Sequence, residues 1–237
     1  MGEEFCWEEL SPSLFICVSS AHKFGTDAFL LSDFAAPRRK DLCCDLGTGC
    51  GIIPLLWFRD DPPRLCYGAD IQKQAIEQLE QSIQKNGLKN RFTPLLTDLK
   101  ELSSLPCGPL DLVTCNPPYT QGQGGLTNRN SAKAIARHET TAGLADFVQC
   151  ASRLLKPKGS FFMVHRPSRL VDLCAAGRAF GLEPKELCFV SPKEGEIPNI
   201  MLVHMIKGGG PELRLLRPLY IYDEAGNYTE ELRACYR

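Results

Sequence analysis

The sequence predicts an α/β protein with a doubly wound, mostly parallel seven-stranded sheet whose last strand runs antiparallel. Two observations carry this. Short apolar runs alternate with helix-period stretches through the middle of the chain, as a parallel sheet covered on both faces requires. A glycine-rich turn also follows the first of those runs directly, and further polar residues of chemical interest fall at strand ends, where open α/β sheets bind ligands.

The elements follow in order. Asp41 to Leu46 reads as the first strand, Gly47-Thr48-Gly49-Cys50-Gly51 as the turn, and the next residues as a helix to about Arg59. Leu65 to Asp70 is a second strand. Gln72 to Asn86 is a helix with Ala75, Ile76, Leu79 and Ile83 on one face and Asn86-Gly87 as its stop. Arg91 to Leu96 is a third strand, and Asp98 caps a short helix that ends before Pro106. Leu110 to Cys115 is a fourth strand, halted by Pro117 and Pro118, which cannot continue a central ladder. Thr120 to Thr141 is a polar loop too long for a simple connector. Gly143 to Leu155 is a helix, Ser160 to His165 a fifth strand, and Ser168 to Phe180 a helix stopped by Gly181. Glu186 to Val190 and Ile200 to Lys207 form a closing antiparallel pair. One domain over 1–237 is expected, with 1–40 as an N-terminal cap segment. Beyond Gly208-Gly209-Gly210-Pro211, residues 208–237 are expected to pack back on the core as a strand and a helix.

Bulk composition narrows the function classes. With 43% hydrophobic and 23% charged residues, the chain has the makeup of a soluble globular protein. No apolar run reaches bilayer length, and the acidic start Met1-Gly2-Glu3-Glu4 is unlike a secretory signal. A cytoplasmic location without membrane contact is expected. Twelve cysteines lack any Cys-x-x-Cys spacing, so reduced, buried thiols are expected and a metal site is not. Net charge is −1, yet between Tyr119 and Val171 the cations Arg129, Lys133, Arg137, Arg153, Lys156, Lys158, Arg166 and Arg169 face only Glu139 and Asp146. That surplus suits a polyanion if the charges share a face; solvated helix and loop charges account for it equally well.

Asp45-Leu46-Gly47-Thr48-Gly49-Cys50-Gly51 is the first element with chemical content. Glycines after a strand allow a tight turn and close approach of a ligand. A dinucleotide fingerprint would place its third glycine at position 52, where Ile52 stands. Asp70, about twenty residues further on, can accept from both hydroxyls of a ribose. Asp98 can cap the segment after it. His22-Lys23-Phe24-Gly25-Thr26-Asp27 opens a helix with Thr26 or Asp27 as its cap.

Asn116-Pro117-Pro118-Tyr119 is the most informative element. An exocyclic amine or amide nitrogen is a poor nucleophile because its lone pair is delocalised. The Asn116 side-chain oxygen and the Pro117 carbonyl can each accept one N–H, holding the nitrogen pyramidal and stabilising the charge that develops on it. The prolines make both acceptors rigid, and Tyr119 offers a flat face for a base.

These segments, with Ala136-Arg137-His138-Glu139 and the tail Tyr222-Asp223-Glu224-Ala225-Gly226-Asn227-Tyr228-Thr229-Glu230-Glu231, resemble the tRNA (adenine-N6) methyltransferase family that modifies valine tRNA beside the anticodon, at position 37. The resemblance runs from about Phe24 to Tyr236. It implies a class I, Rossmann-like methyltransferase fold, S-adenosyl-L-methionine as cofactor and tRNA as substrate. It assigns cofactor contacts to Lys23, Gly25, Thr26, Asp45, Gly47 and Gly49, and further ones to Gly51, Asp70, Ile71, Asp98, Leu99 and Asn116. Catalysis falls to Asn116, Pro117 and Tyr119, and RNA contact to Tyr119, Arg129, Lys133, Arg137 and His138. Asp70 departs from the glutamate common at its place in methyltransferases. The same corner chemistry serves protein-glutamine and rRNA amino-methyltransferases. Release-factor-type glutamine enzymes usually carry a helical domain ahead of the core, whereas only about twenty residues precede Phe24 here. A non-catalytic RNA-binding relative is expected to have lost Asn116 or the glycine loop, and both are intact. The oligomeric state stays open, leaning to a monomer.

Overall fold

The computed structural model describes residues 5–19, 24–59, 62–118 and 142–236. Strands β1 (Cys6–Ser11) and β2 (Leu14–Val18) precede helix α1 (Thr26–Ala35). Then come β3 (Leu42–Leu46), α2 (Ile52–Arg59), β4 (Leu65–Asp70), α3 (Lys73–Lys85), β5 (Phe92–Leu96) and β6 (Leu110–Cys115). Next are α4 (Leu144–Leu154), β7 (Leu155–His165), α5 (Leu170–Ala179), β8 (Leu182–Ser191) and β9 (Ile200–Lys207). The tail contributes β10 (Arg214–Leu215), β11 (Leu219–Tyr220) and α6 (Glu230–Cys235).

The seven expected strands stand in the order β5-β4-β3-β6-β7-β9-β8, with β9 antiparallel to both of its neighbours and the rest parallel. Beyond β8, the tail adds β10 and β11 as short parallel pairings, making nine strands. Strands buried on both faces read as continuous apolar runs, and alternate residues serve opposite cores. Cys43, Cys66, Leu112 and Phe162 join a cluster with residues of α1, α2 and α3. Cys44, Tyr67, Val113 and Phe161 join another with α4 and α5. Thiols suit these positions because a small apolar side chain fits where sheet and helices approach closely.

The hairpin β1–β2, absent from the sequence reading, docks on α3 through a polar ladder. The Asn86 amide closes a two-way pair with Phe15, accepting from its N–H at 2.9 Å and donating to its carbonyl at 2.6 Å. One helical turn back, Ser82 Oγ accepts from the Cys17 amide at 2.9 Å. Four helix residues advance about 6 Å and two strand residues about 6.6 Å, so the two repeats stay in step. Another turn back along α3 stands Gln78, fully buried, with neither side-chain amide atom hydrogen-bonded among the described residues.

Three local expectations are corrected. Asp98 starts a single turn rather than a helix: Glu101 and Leu102 donate back to its carbonyl, and the following residues extend so that Leu99, Leu102 and Leu105 all reach the core. Helix α1 has Gly25 in the N-cap position, ahead of Thr26 and Asp27, because the helix begins one residue earlier than expected. Strand β7 begins earlier than Ser160 because Lys158 takes a left-handed conformation, φ +64°, and so the turn-like Lys-Pro-Lys-Gly run is absorbed as an irregularity. Among the described residues, no helix is long and apolar enough to cross a membrane.

Candidate active site

Strand register brings the predicted segments to one edge. Leu46 pairs with Cys115 on one side and Ala69 on the other, and Asp70 pairs with Leu96. The residues that leave β6, β3, β4 and β5 therefore emerge side by side: Asn116, the glycine loop, Asp70 with Ile71, and Asp98. Three interstrand steps of about 4.8 Å separate the first from the last, about 14 Å in all. That length suits an elongated ligand lying across the carboxyl ends.

The glycine loop is fixed to β4. Amides of Gly47 and Thr48 both donate to the Ala69 carbonyl, at 2.8 and 3.1 Å, and the Gly49 amide donates to Asp70 Oδ2 at 2.9 Å. Gly51 has φ +86°, a conformation that favours glycine, and a Cβ there would lie 2.4 Å from Leu79 Cδ1 and force that side chain to shift. Gly49, with φ +55°, has open space where its Cβ would stand, which leaves the backbone accessible from the edge of the sheet.

The three carboxylates differ in environment. Asp45 is buried, and its Oδ1 accepts from Thr114 Oγ1 at 2.7 Å. Burial pushes the Asp45 carboxyl up to about 7; the Thr114 and Thr48 hydroxyls oppose that rise and the Asp70 charge adds to it. The Thr48 hydroxyl is near enough to act on the carboxyl but out of hydrogen-bonding geometry, so Asp45 Oδ2 and Thr48 Oγ1 both stay buried without a partner among the described residues. Asp70 spends an oxygen on each of two backbone amides, Gly49 on Oδ2 and Gln72 on Oδ1, both at 2.9 Å. Asp98 Oδ1 accepts from the Lys100 amide at 2.9 Å, the turn-capping role.

Ile71 is 48% exposed directly after Asp70, an apolar face at the ligand edge. Leu99 is different. Its side chain is part of the core and its carbonyl accepts from Arg153 Nη2 at 3.0 Å, so it supports the site from beneath. Asn116 is half-buried, Pro117 buried and Pro118 exposed, which places the corner at the surface with a buried anchor. Beside it ends β7: Cys115 pairs with Met163, two residues before His165. His165 Nδ1 accepts from the Arg166 amide at 2.8 Å, and burial, with Arg169 and Arg166, lowers its pKa, which favours a neutral ring.

Gly25 and Thr26 begin α1, where Thr26 Oγ1 accepts from the Tyr236 hydroxyl at 3.2 Å. Lys23, Tyr119, Arg129, Lys133, Arg137 and His138 lie outside the described residues, as does the whole Ala136–Glu139 segment. Thr48, Thr114 and His165 were missed. The signal for Thr114 was a polar residue inside an otherwise apolar buried strand, and for His165 its position at a strand's carboxyl end. Among the described residues no group of histidine, cysteine, aspartate and glutamate is arranged to hold a metal ion.

An antiparallel strand inserted between the last two parallel ones, over a glycine loop and acidic strand ends, defines a class I methyltransferase fold. The chain belongs to the methyltransferase small domain family, whose model matches residues 18–171. It is similar to proteins named tRNA1(Val) (adenine(37)-N6)-methyltransferase. The one from Tolumonas auensis is 29% identical, over 77% of this chain and 76% of its own. One from Haemophilus influenzae is 26% identical, over 90% of this chain and 88% of its own. Among solved structures, a protein described as a predicted O-methyltransferase from Agrobacterium tumefaciens superposes with a TM-score of 0.68 at 20% identity, over 89% of this chain and 95% of that one. A TehB-like SAM-dependent methyltransferase from Corynebacterium glutamicum superposes with a TM-score of 0.51 at 17% identity, over 78% of this chain and 89% of that one.

Proposed function

We propose that the chain is an S-adenosylmethionine-dependent methyltransferase acting on N6 of adenine at position 37 of a tRNA. The observation that carries the chemistry is the Asn116-Pro117-Pro118 corner, one strand away from the glycine loop. The names of the relatives support the substrate.

The residues present fit the cofactor. Asp45 Oδ2 and Thr48 Oγ1 are buried polar atoms without a partner among the described residues, and the Gly49 backbone beside them in the chain is open where a Cβ would stand. Each Asp70 oxygen retains a second lone pair for a ribose hydroxyl after accepting its backbone amide. Ile71 gives the adenine an apolar face. When bound, S-adenosylmethionine supplies an electrophilic sulfonium methyl.

The chain's own contribution is orientation and charge. Asn116 Oδ1 and the Pro117 carbonyl accept the two amino hydrogens and turn the lone pair out of conjugation. The same oxygens stabilise positive charge as it grows on nitrogen. Tyr119 supplies the stacking face, and Arg129, Lys133, Arg137 and His138 supply cations for phosphates. Incubation with methyl-labelled cofactor and separate RNA and protein pools tests this. Label recovered as N6-methyladenosine is expected. Label recovered on glutamine side chains, with RNA unlabelled, overturns the reading.

A further inference from the structure

The tail Tyr222–Glu231 has no part in the chemistry above, yet it builds an ordered aromatic array. The rings of Tyr222 and Tyr228 stack at 5.4 Å and 21°, Tyr228 and Tyr236 at 5.8 Å and 12°, and Tyr236 and Phe29 at 4.0 Å and 18°. A tight turn sets the first pair. Asp223 and Asn227 hydrogen-bond in both directions, Gly226 takes φ +83°, and Tyr222 and Tyr228 form a cross-strand bridge. One end of the array reaches the core at Phe29, and the other stops at Tyr222.

We propose that Tyr222, Tyr228 and Tyr236 form a platform that receives an unpaired nucleobase of the RNA substrate on the outer face of Tyr222; this rests on the RNA reading given above. Position supports it. β11 runs parallel to β8, Tyr220 pairs with Ser191, and Val190 pairs with Ile200, so Tyr222 leaves the sheet at the edge that carries Asn116. Four interstrand steps separate β6 from β11, about 19 Å, within reach of a loop nucleotide close to the methylated one. Exposure supports it too. Rings that merely fastened the tail would be buried, as Leu232 and Cys235 are, whereas these three remain 38%, 41% and 37% exposed. The turn fixes the rings beforehand, so little conformational entropy is lost on binding. Asp223, Glu224, Glu230 and Glu231 neighbour the rings along the chain, and such acids repel phosphate, which favours the face of a base over the backbone.

Tyr222→Trp provides the direct test, because indole emission is quenched when a base stacks on it. Addition of an unmodified valine tRNA transcript is expected to quench the variant beyond the change seen in wild type, which contains only Trp7 and Trp57. Tyr222→Ala should weaken RNA affinity by about one to two orders of magnitude with the slope of affinity against salt unchanged. Its KM for the cofactor and its turnover at saturating RNA should stay at wild-type values, and Tyr222→Phe should bind RNA normally. RNA methylated at the wild-type KM by Tyr222→Ala, or no quenching in Tyr222→Trp under conditions where it methylates RNA, overturns the platform alone. Label found on protein and not on RNA overturns the parent reading and the platform with it.

Discussion

The Gly49 amide donates to Asp70 Oδ2, joining the cofactor loop after β3 to the end of β4 at 2.9 Å. Asp70 is buried and also accepts from Gln72, so Asp70→Ala strands two amides. Each such partly exposed hydrogen bond contributes about 0.5–1.5 kcal/mol net. A fall in urea midpoint and at least tenfold weaker cofactor binding by calorimetry are expected. Native stability in the variant would show that the loop is held by other contacts.

Asn116→Ala separates binding from chemistry. The strand-end loop and Asp70 are untouched, so cofactor affinity should remain within about a factor of two. Turnover should fall by roughly 10²–10³, the usual loss for one preorganised charge-stabilising group. Single-turnover rates equal to wild type would remove the corner from the mechanism.

Asp45 makes stability depend on pH in a specific direction. Its carboxyl titrates at about 7 in the folded chain, above the ordinary 3.8, so the folded state holds a proton that the unfolded state releases earlier. The associated stability is complete below about pH 4 and is lost as pH rises through 7. Asp45→Asn removes this titration. Between pH 5 and 8 its stability should gain on wild type, by about 2–3 kcal/mol. Denaturation curves that shift equally for both proteins over that range would contradict the assignment.

Gln78 is fully buried with both side-chain amide atoms unpaired among the described residues. Methionine has similar length and no polar group to desolvate. Gln78→Met should therefore raise stability by about 1 kcal/mol, read as a higher melting temperature. A loss of stability would point to a hydrogen bond that forms in solution.

What the sequence disclosed depended on whether a local pattern decided the structure. β4, β6 and β9 fall where their apolar runs lie, since burial on both faces leaves no other use for such residues. The hairpin was hidden because β1 is largely exposed and the contacts of β2 lie far along the chain, at Ser82 and Asn86. Asp98 suggested a capped helix ending before Pro106, but the core takes Leu99, Leu102 and Leu105 from one turn and an extended stretch. At the site, Gly47, Gly49 and Gly51 were legible because each needs positive φ. Thr114 was not, because its purpose is set by Asp45, its neighbour across the sheet and 69 residues away.

The cysteine distribution governs how the protein can be handled. Nine of the thiols are buried, Cys107 and Cys174 are partly covered, and Cys6 alone is exposed. A maleimide dye added to native material should therefore couple first at Cys6, giving a near-homogeneous conjugate at the hairpin. Unfolding by heat should expose the other eleven, and in air these are expected to crosslink into species that do not return on cooling. Shelf life without reductant is then set by how fast the chain opens, whatever its equilibrium stability.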